Sequence, residues 1–173
     1  PSVVPIYEVG EVGGQPYFTM EFVDGCDLRE YVRRERLTRR EICDLMIRVC
    51  EVVDYAHTHG VIHRDLKPGN IMVDQDGRVR LLDFGLARIA RQGDGEVSGT
   101  VLTASGDVMG TPRYMSPEQA EGHIRQIDGR TDVYSLGVIL YELLVGIPPY
   151  NIDGQKGYQA IETVRTAEPV RPT

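Results

Sequence analysis

The chain has 173 residues, of which 41% are hydrophobic and 26% charged, a balance typical of a globular domain with a buried core. A net charge of −7 argues against a basic binding surface, so we expect no nucleic-acid partner. No apolar run reaches the roughly 18 residues of a membrane helix, so we expect no membrane contact from this segment. Three cysteines without metal-type spacing favour a reducing compartment, by default the cytoplasm.

The first part of the chain predicts a hairpin and a short helix. Residues 6–23 alternate apolar and polar side chains around the turn-forming stretch 13–16, which indicates two antiparallel strands. Asp27 then serves as the N-cap of a helix that ends near Arg34, because its carboxylate can accept a hydrogen bond from the first helical turn.

A long helix and a second hairpin are predicted next. Thr38 and Glu41 have the spacing of a capping box, and Gly60 ends the helix that follows. Apolar residues at three- and four-residue steps give this helix one buried stripe. The stripe consists of Ile42, Leu45, Met46, Val49, Val52, Val53 and Ala56. Two short apolar runs, residues 71–73 and 79–82, then predict a hairpin.

The second half of the chain predicts a loop and three helices. Residues 91–110 are rich in Gly, Ser, Thr and Asp and lack periodicity, which indicates a mobile loop. Ser116 and Gln119 form a second capping box, so a helix begins there. Apolar residues in 131–145 cover most of the circumference and predict a helix buried on nearly all sides. A last helix is expected at about 155–166.

One stretch carries the groups that phosphoryl transfer requires. Residues 63–70 have the sequence His-Arg-Asp-Leu-Lys-Pro-Gly-Asn, and Asp83-Phe84-Gly85 follows thirteen residues after Asn70. A catalyst of this reaction needs oxygen ligands for Mg²⁺, a carboxylate that orients a hydroxyl, and a cation near the migrating phosphate. All three kinds of group occur here.

Four motifs follow one another in a characteristic order: the stretch 63–70, the triplet 83–85, Gly-Thr-Pro-Arg-Tyr-Met-Ser-Pro-Glu at 110–118, and Asp-Val-Tyr-Ser-Leu-Gly at 132–137. Together they resemble the eukaryotic-like protein kinases, and Lys67 resembles the serine/threonine branch of that family. The wording of the last two motifs most resembles bacterial members.

The resemblance implies an α+β, protein-kinase-like fold. It implies that most of the chain is the helical C-terminal lobe, with the last two strands of the N-terminal lobe before it. Residues 1–23 would be the end of the N-lobe sheet and the hinge. Residues 24–173 would be a C-lobe that is incomplete, because the terminal helices of the family are missing.

Catalytic and metal-binding roles are implied for five residues. Asp65 would orient the substrate hydroxyl or accept its proton, and Lys67 would neutralise charge on the migrating phosphoryl group. Asn70 and Asp83 would be ligands for Mg²⁺ or Mn²⁺, which together with ATP are the implied cofactors. Thr111 would form a hydrogen bond near Asp65 and Lys67.

The resemblance also implies a nucleotide site. Met20 takes the gatekeeper position, the backbone groups of Glu21 and Val23 would hold adenine, and Asp27 would reach the ribose. Met72 would form the floor under adenine, although its periodicity is equally that of a core residue in a hairpin. Asp83 would approach the nucleotide through the metal ion.

A phosphorylation switch is implied by Arg64, because a guanidinium binds phosphate with two parallel hydrogen bonds. Thr103 and Ser105 are the preferred acceptors, since they lie closest to the segment expected to bind substrate. Phosphorylation between two copies of the protein in a transient dimer is one route to this state. The alternative is that these hydroxyl groups only keep a loop hydrated.

Structural roles are implied for a further set of residues. Ile6, His63 and Phe84 would stack in a spine that links the two lobes, and Asp132 would anchor it by accepting backbone N–H groups of the catalytic loop. Glu118 would pair with an arginine that the chain does not contain at the expected place.

Some family features do not occur. The chain has no glycine-rich Gly-x-Gly-x-x-Gly stretch, and its first lysine is Lys67, so the usual ATP-binding lysine is missing. We therefore expect a piece of a longer polypeptide whose intact form transfers the γ-phosphate of ATP to Ser or Thr hydroxyls of proteins. The isolated fragment is expected to be inactive, because positioning accounts for most of this catalysis.

Two other functions remain open at this point. One is a catalytically inactive, kinase-like scaffold or binding module, which is disfavoured because Asp65 and Asp83 are both retained. The other is a small-molecule phosphotransferase, which usually lacks the segment found here at 110–118. Residues upstream of position 1 would discriminate the enzyme from the scaffold.

Overall fold

A two-stranded hairpin opens the part of the chain that the structure describes. The computed structural model describes residues 2–82, 112–122, 127–155 and 157–172. Strands β1 (Ile6–Val12) and β2 (Gln15–Met20) pair antiparallel, with Val12 opposite Gln15. The hairpin prediction is confirmed. The turn is tighter than expected, because Gly13 and Gly14 alone form it, with φ of 60° and 80° that favour glycine.

A three-stranded antiparallel sheet lies next in the fold. Its strands are β3 (Gly25–Asp27), β4 (Ile71–Asp74) and β5 (Val79–Leu81), in the order β3-β4-β5. The predicted hairpin of the last two strands is confirmed. Strand β3 was not predicted, because it has only three residues, the last of which is the N-cap of α1, and these are too few to show alternation. At Gly25 a Cβ atom would lie 2.2 Å from the carbonyl oxygen of Val73, so glycine permits this pairing.

Five α-helices occur in the described ranges: α1 (Leu28–Arg34), α2 (Arg39–Thr58), α3 (Pro117–Ala120), α4 (Gly129–Val145) and α5 (Tyr158–Thr166). Short 3₁₀ turns occupy Pro68–Asn70 and Pro112–Tyr114. The predicted caps are confirmed: Asp27 accepts from the N–H of Glu30 at 2.9 Å, and both capping boxes form.

The core lies between α2, α4 and the three-stranded sheet. The predicted stripe of α2 faces inward, with Val52 only half buried. Leu45 and Val49 meet Ile139 of α4 and Ile71 of β4 in one apolar cluster. Leu66, inside the stretch 63–70, is buried in the same cluster. The chemistry-bearing stretch is therefore fixed to the core by a side chain in its middle.

The prediction that the helix at 131–145 is buried on nearly all sides is wrong. Val133 is 61% exposed and Leu140 is half buried, whereas Leu136 and Ile139 lie inside. Among the described residues, α4 packs mainly against α2 and the Pro112–Tyr114 turn, which leaves part of its apolar surface exposed. The last helix begins at Tyr158, after Gly157 with its φ of 45°, rather than at 155.

None of the helices in the described ranges combines the length and the apolar character that crossing a membrane requires.

The capping box of α2 gives a first testable prediction. Hydrogen bonds from the Thr38 hydroxyl and its backbone N–H lower the pKa of Glu41. Replacing Thr38 by Ala removes the side-chain cap and is expected to cost about 1 kcal/mol of unfolding free energy. It also brings the Glu41 pKa closer to its ordinary value, measurable by NMR titration.

The pH dependence of this effect has a definite sign. A carboxylate with a lowered pKa stabilises the folded state above its unfolded pKa, and this contribution disappears as the pH falls through the folded pKa. The stability difference between wild type and Thr38→Ala should therefore shrink on acidification in denaturation experiments. A difference that grows in acid would contradict the assignment.

Candidate active site

Three polar side chains of the stretch 63–70 gather at one point. The Lys67 Nζ donates to Asp65 Oδ2 at 2.7 Å, and Asn70 Nδ2 donates to the backbone carbonyl of Asp65 at 2.8 Å. Asn70 Nδ2 also lies 3.4 Å from Asp65 Oδ2. Asn70 is buried, whereas the Asp65 side chain is 46% exposed. A carboxylate, an ammonium group and an amide are thus held together at an open edge.

The buried carboxylate of Asp132, in the first turn of α4, holds the front of this stretch. Its Oδ2 accepts from the backbone N–H of His63 and its Oδ1 from that of Arg64, both at 2.8 Å. The resemblance to protein kinases implies such bonds. The Nε2 of His57 lies 2.8 Å from Oδ2 as a third partner. No local pattern points to His57, which is 75 residues away from Asp132 along the chain.

His63 is buried and connects the stretch to Leu82, the residue that follows β5. Its Nδ1 accepts from the backbone N–H of Asp65 at 3.3 Å, so the ring proton lies on Nε2, which donates to the carbonyl of Leu82 at 2.8 Å. The N–H of Leu82 in turn donates to the carbonyl of Asn70 at 2.9 Å. Leu82 is therefore fixed beside the stretch from two directions.

The residues expected to contact a nucleotide lie on neighbouring elements. Asp27 of β3 pairs with Met72 of β4 in the sheet register, which brings these two positions side by side. The Asp27 carboxylate already caps α1 through its bond with Glu30. Met72 is half buried, so it is neither a fully buried core residue nor a surface residue.

The segment after β2 is bonded to the residue before β1 and to strand β5. The N–H of Glu21 donates to the carbonyl of Pro5 at 3.2 Å, and the Glu21 side chain forms an ion pair with Arg80 of β5. Met20 ends β2 opposite Ile6 and is partly exposed, and Val23 is half buried. The Nε of Arg80 is buried, and no residue in the described ranges forms a hydrogen bond with it.

A cleft of about 460 Å³ opens beside Lys67, between the start of α1 and the Pro112–Tyr114 turn. The hydroxyl group of Tyr114 donates to Glu142 at 2.7 Å and accepts from Arg29 at 2.7 Å. Burial, reinforced by the bond to Glu142, raises the pKa of Tyr114. The phenol therefore stays protonated and ties α1 to α4 at the wall of the cleft.

Glu118 has a different partner from the arginine expected for it. Its Oε1 accepts from the hydroxyl of Thr131 at 2.9 Å, and the Thr131 hydroxyl lies 2.6 Å from that of Ser116. Ser116 and Thr131 are fully buried. Among the described residues, a chain of hydroxyl groups thus joins α3 to the start of α4.

Several predicted site residues lie outside the described residues, and their roles stay predictions. They are Asp83, Phe84, Thr103, Ser105 and Thr111. The stack of Ile6, His63 and Phe84 therefore stays a prediction as well. Ile6 itself is half buried in β1.

The donor atoms near Asp65 suit a hard divalent cation. Both bonds of the Asn70 amide to Asp65 use its nitrogen, which leaves the amide oxygen as a possible ligand, and Mg²⁺ prefers such oxygen atoms. In the described ranges, no group of three or more His, Cys, Asp or Glu residues is placed to hold a metal ion.

Comparison with known proteins identifies the family of the chain. Residues 1–170 match the model of the protein kinase domain. The chain is 41% identical over 155 residues to serine/threonine-protein kinase PknB of Mycolicibacterium smegmatis, covering 87% of the chain and 24% of that protein. It is also 41% identical over 158 residues to PknB of Mycobacterium tuberculosis, covering 88% of the chain and 24% of that protein.

A third relative is the probable serine/threonine-protein kinase PknB of Bifidobacterium longum, 40% identical over 178 aligned residues, with 96% of the chain and 25% of that protein covered. The chain thus spans about a quarter of the length of these relatives. Its structure has a helical region and small antiparallel sheets. The chain belongs to the protein kinase domain family, in its bacterial serine/threonine branch.

Proposed function

We propose that this chain forms the greater part of the catalytic domain of a protein that transfers the γ-phosphate of ATP to Ser or Thr hydroxyls of other proteins. The observation that supports this most directly is the meeting of Asp65, Lys67 and Asn70 at an open edge. In the same proposal, residues 1–23 are the end of the N-lobe sheet with the hinge, and residues 24–173 are the C-lobe.

The two oxygen atoms of Asp65 are assigned different tasks. Oδ2 accepts from Lys67 and faces the Asn70 amide, so Oδ1 is the oxygen left to accept the proton of an incoming hydroxyl. In the proposed reaction the Lys67 ammonium group moves partly away from Asp65 and faces the phosphoryl group. Its flexible stem permits this movement, and its compact charge suits the phosphate. Thr111 is proposed to support this pair from the substrate side.

The nucleotide is proposed to lie across the β3–β4 pair. The adenine ring would rest on Met72 and contact the backbone of Glu21 and Val23 behind Met20. Asp27 would contact the ribose, since it is the register partner of Met72. Asn70 and Asp83 would hold Mg²⁺ or Mn²⁺, which neutralises charge on the phosphates.

Replacement of Asp65 by Asn is the direct test of this proposal. The amide is isosteric but cannot accept the proton, so phosphate incorporation into a generic protein substrate should fall by at least about a hundredfold in the full-length protein. Asp54→Asn, at an exposed position of α2, is the matched control and should retain full activity. Full activity of Asp65→Asn would sink the assigned base, and inactivity of the wild-type protein would favour the scaffold.

Metal dependence gives a separate test. Chelation with EDTA should abolish transfer, and Mg²⁺ or Mn²⁺ should restore it. Asn70→Ala removes a proposed ligand, so the Mg²⁺ concentration at half-maximal rate should rise on the order of tenfold or more. Asn151→Ala, on the exposed surface before α5, should leave this concentration unchanged. Equal Mg²⁺ dependence in both variants would contradict the ligand assignment.

Regulation is proposed to act through Arg64. Its side chain is exposed while its backbone is fixed by Asp132, so a guanidinium is presented from a rigid base. Phosphorylated Thr103 or Ser105 would bind this guanidinium and order the substrate-binding segment. A second copy of the protein would deliver the phosphate in a transient dimer.

This route can be tested by mixing active protein with a full-length Asp65→Asn copy as acceptor. Radiolabel from ATP should enter the inactive copy, and most of it should be lost when that copy also carries Thr103→Ala and Ser105→Ala. Mass spectrometry locates the label. Label found at Ser98 or Thr100 instead would refute the preferred acceptors.

A further inference from the structure

The peptide unit that joins Arg64 to Asp65 is held in an unusual backbone conformation. Arg64 has a φ of 70°, in the left-handed region that non-glycine residues rarely adopt. Such a conformation is strained and persists only where surrounding bonds enforce it. Asp132 accepts a hydrogen bond from the N–H of Arg64. The carbonyl group of Arg64 is held by a different residue.

Gln119 of α3 holds that carbonyl. Its Nε2 donates to the carbonyl oxygen of Arg64 at 2.7 Å. Its Oε1 accepts from the backbone N–H of Ser116 at 3.0 Å, as the acceptor of the capping box. The orientation of the amide is therefore settled, because a backbone N–H can only donate and a carbonyl can only accept. One side chain both caps α3 and fixes the carbonyl before Asp65.

The contact constrains the candidate base directly. The carbonyl of Arg64 and the N–H of Asp65 belong to one rigid peptide plane. Gln119 binds the oxygen end of this plane and His63 Nδ1 binds the nitrogen end. The orientation of the plane sets where the Cα–Cβ bond of Asp65 points.

We propose that Gln119 is a positioning residue for Asp65, which transmits the placement of α3 and the adjoining Pro112–Tyr114 turn to the base. The inference rests on the proposed function. One side-chain amide thus connects the wall of the cleft to the reacting carboxylate. The same amide contacts Ser116, whose buried hydroxyl lies beside that of Thr131. Movement of the turn therefore changes the orientation of Asp65 without any change in Asp65 itself.

Two variants separate the donor from the cap. Gln119→Glu keeps the capping acceptor, since Glu serves in capping boxes as well as Gln, but it loses the donor to Arg64. Gln119→Met is uncharged and loses both groups. Glu41→Gln, in the capping box of α2, is the matched control, because it exchanges the same two side chains in a box that lies away from the site.

The measurements use the full-length protein: kcat, KM for ATP, the melting temperature, and hydrogen exchange of the backbone amides of residues 63–66. Both Gln119 variants should lower kcat roughly three- to tenfold, the effect of one hydrogen bond, with KM for ATP unchanged. Exchange at 63–66 should accelerate in both, while exchange in α2 stays as in wild type. Glu41→Gln should alter neither kcat nor the exchange at residues 63–66.

Each contrary outcome has a distinct meaning. Wild-type kcat and exchange in Gln119→Glu would overturn the inference, because the donor would then be dispensable. A defect confined to Gln119→Met would assign the effect to capping, and one confined to Gln119→Glu would assign it to the added charge; either overturns it. If wild-type protein transfers no phosphate, the proposed function fails, but the exchange data still decide whether Gln119 holds the 64–65 peptide.

Discussion

The site depends on a carboxylate buried away from water. Asp132 is fully buried, and an uncompensated charge in that position would destabilise the fold by several kcal/mol. Two backbone N–H groups and His57 satisfy its oxygen atoms. Because these N–H groups belong to His63 and Arg64, the stretch that carries Asp65 has to adopt one conformation for the carboxylate to be solvated by the protein. The same hydrogen bonds therefore compensate the buried charge of Asp132 and fix the backbone of the site.

A second set of contacts closes the arrangement from the opposite side. Gln119 binds the carbonyl of Arg64, and Ser116, at the start of the same short helix, meets Thr131 next to Asp132. Helix α4, the stretch 63–70 and α3 therefore form a ring of mutual hydrogen bonds. Each member is held by the other two, which explains how a four-residue helix can be a fixed part of the site.

Sequence reasoning succeeded where the determining interactions are local. The caps at Asp27, Thr38 and Ser116 involve residues three positions apart, so they can be read directly, as can the periodicity of α2. It failed for β3, whose pairing depends on a partner strand almost fifty residues away, and for the exposed side of α4. The roles of Asp65, Lys67 and Asn70 came from the resemblance to protein kinases, and the contacts among the three side chains are what the structure adds. The contacts of His57 and Gln119 were not predicted, because no local pattern encodes a bond between distant segments.

Gly25 limits how the surface around Asp27 and Met72 can change over time. Because any side chain there would collide with the carbonyl of Val73, substitution would separate β3 from β4 and with them Asp27 from Met72. Sequence drift at these two positions can adjust their chemistry but not their spacing. Gly25 has only a hydrogen atom where other residues carry a Cβ atom, so the backbone alone sets the distance between Asp27 and Met72. That distance is kept for as long as the backbone is kept.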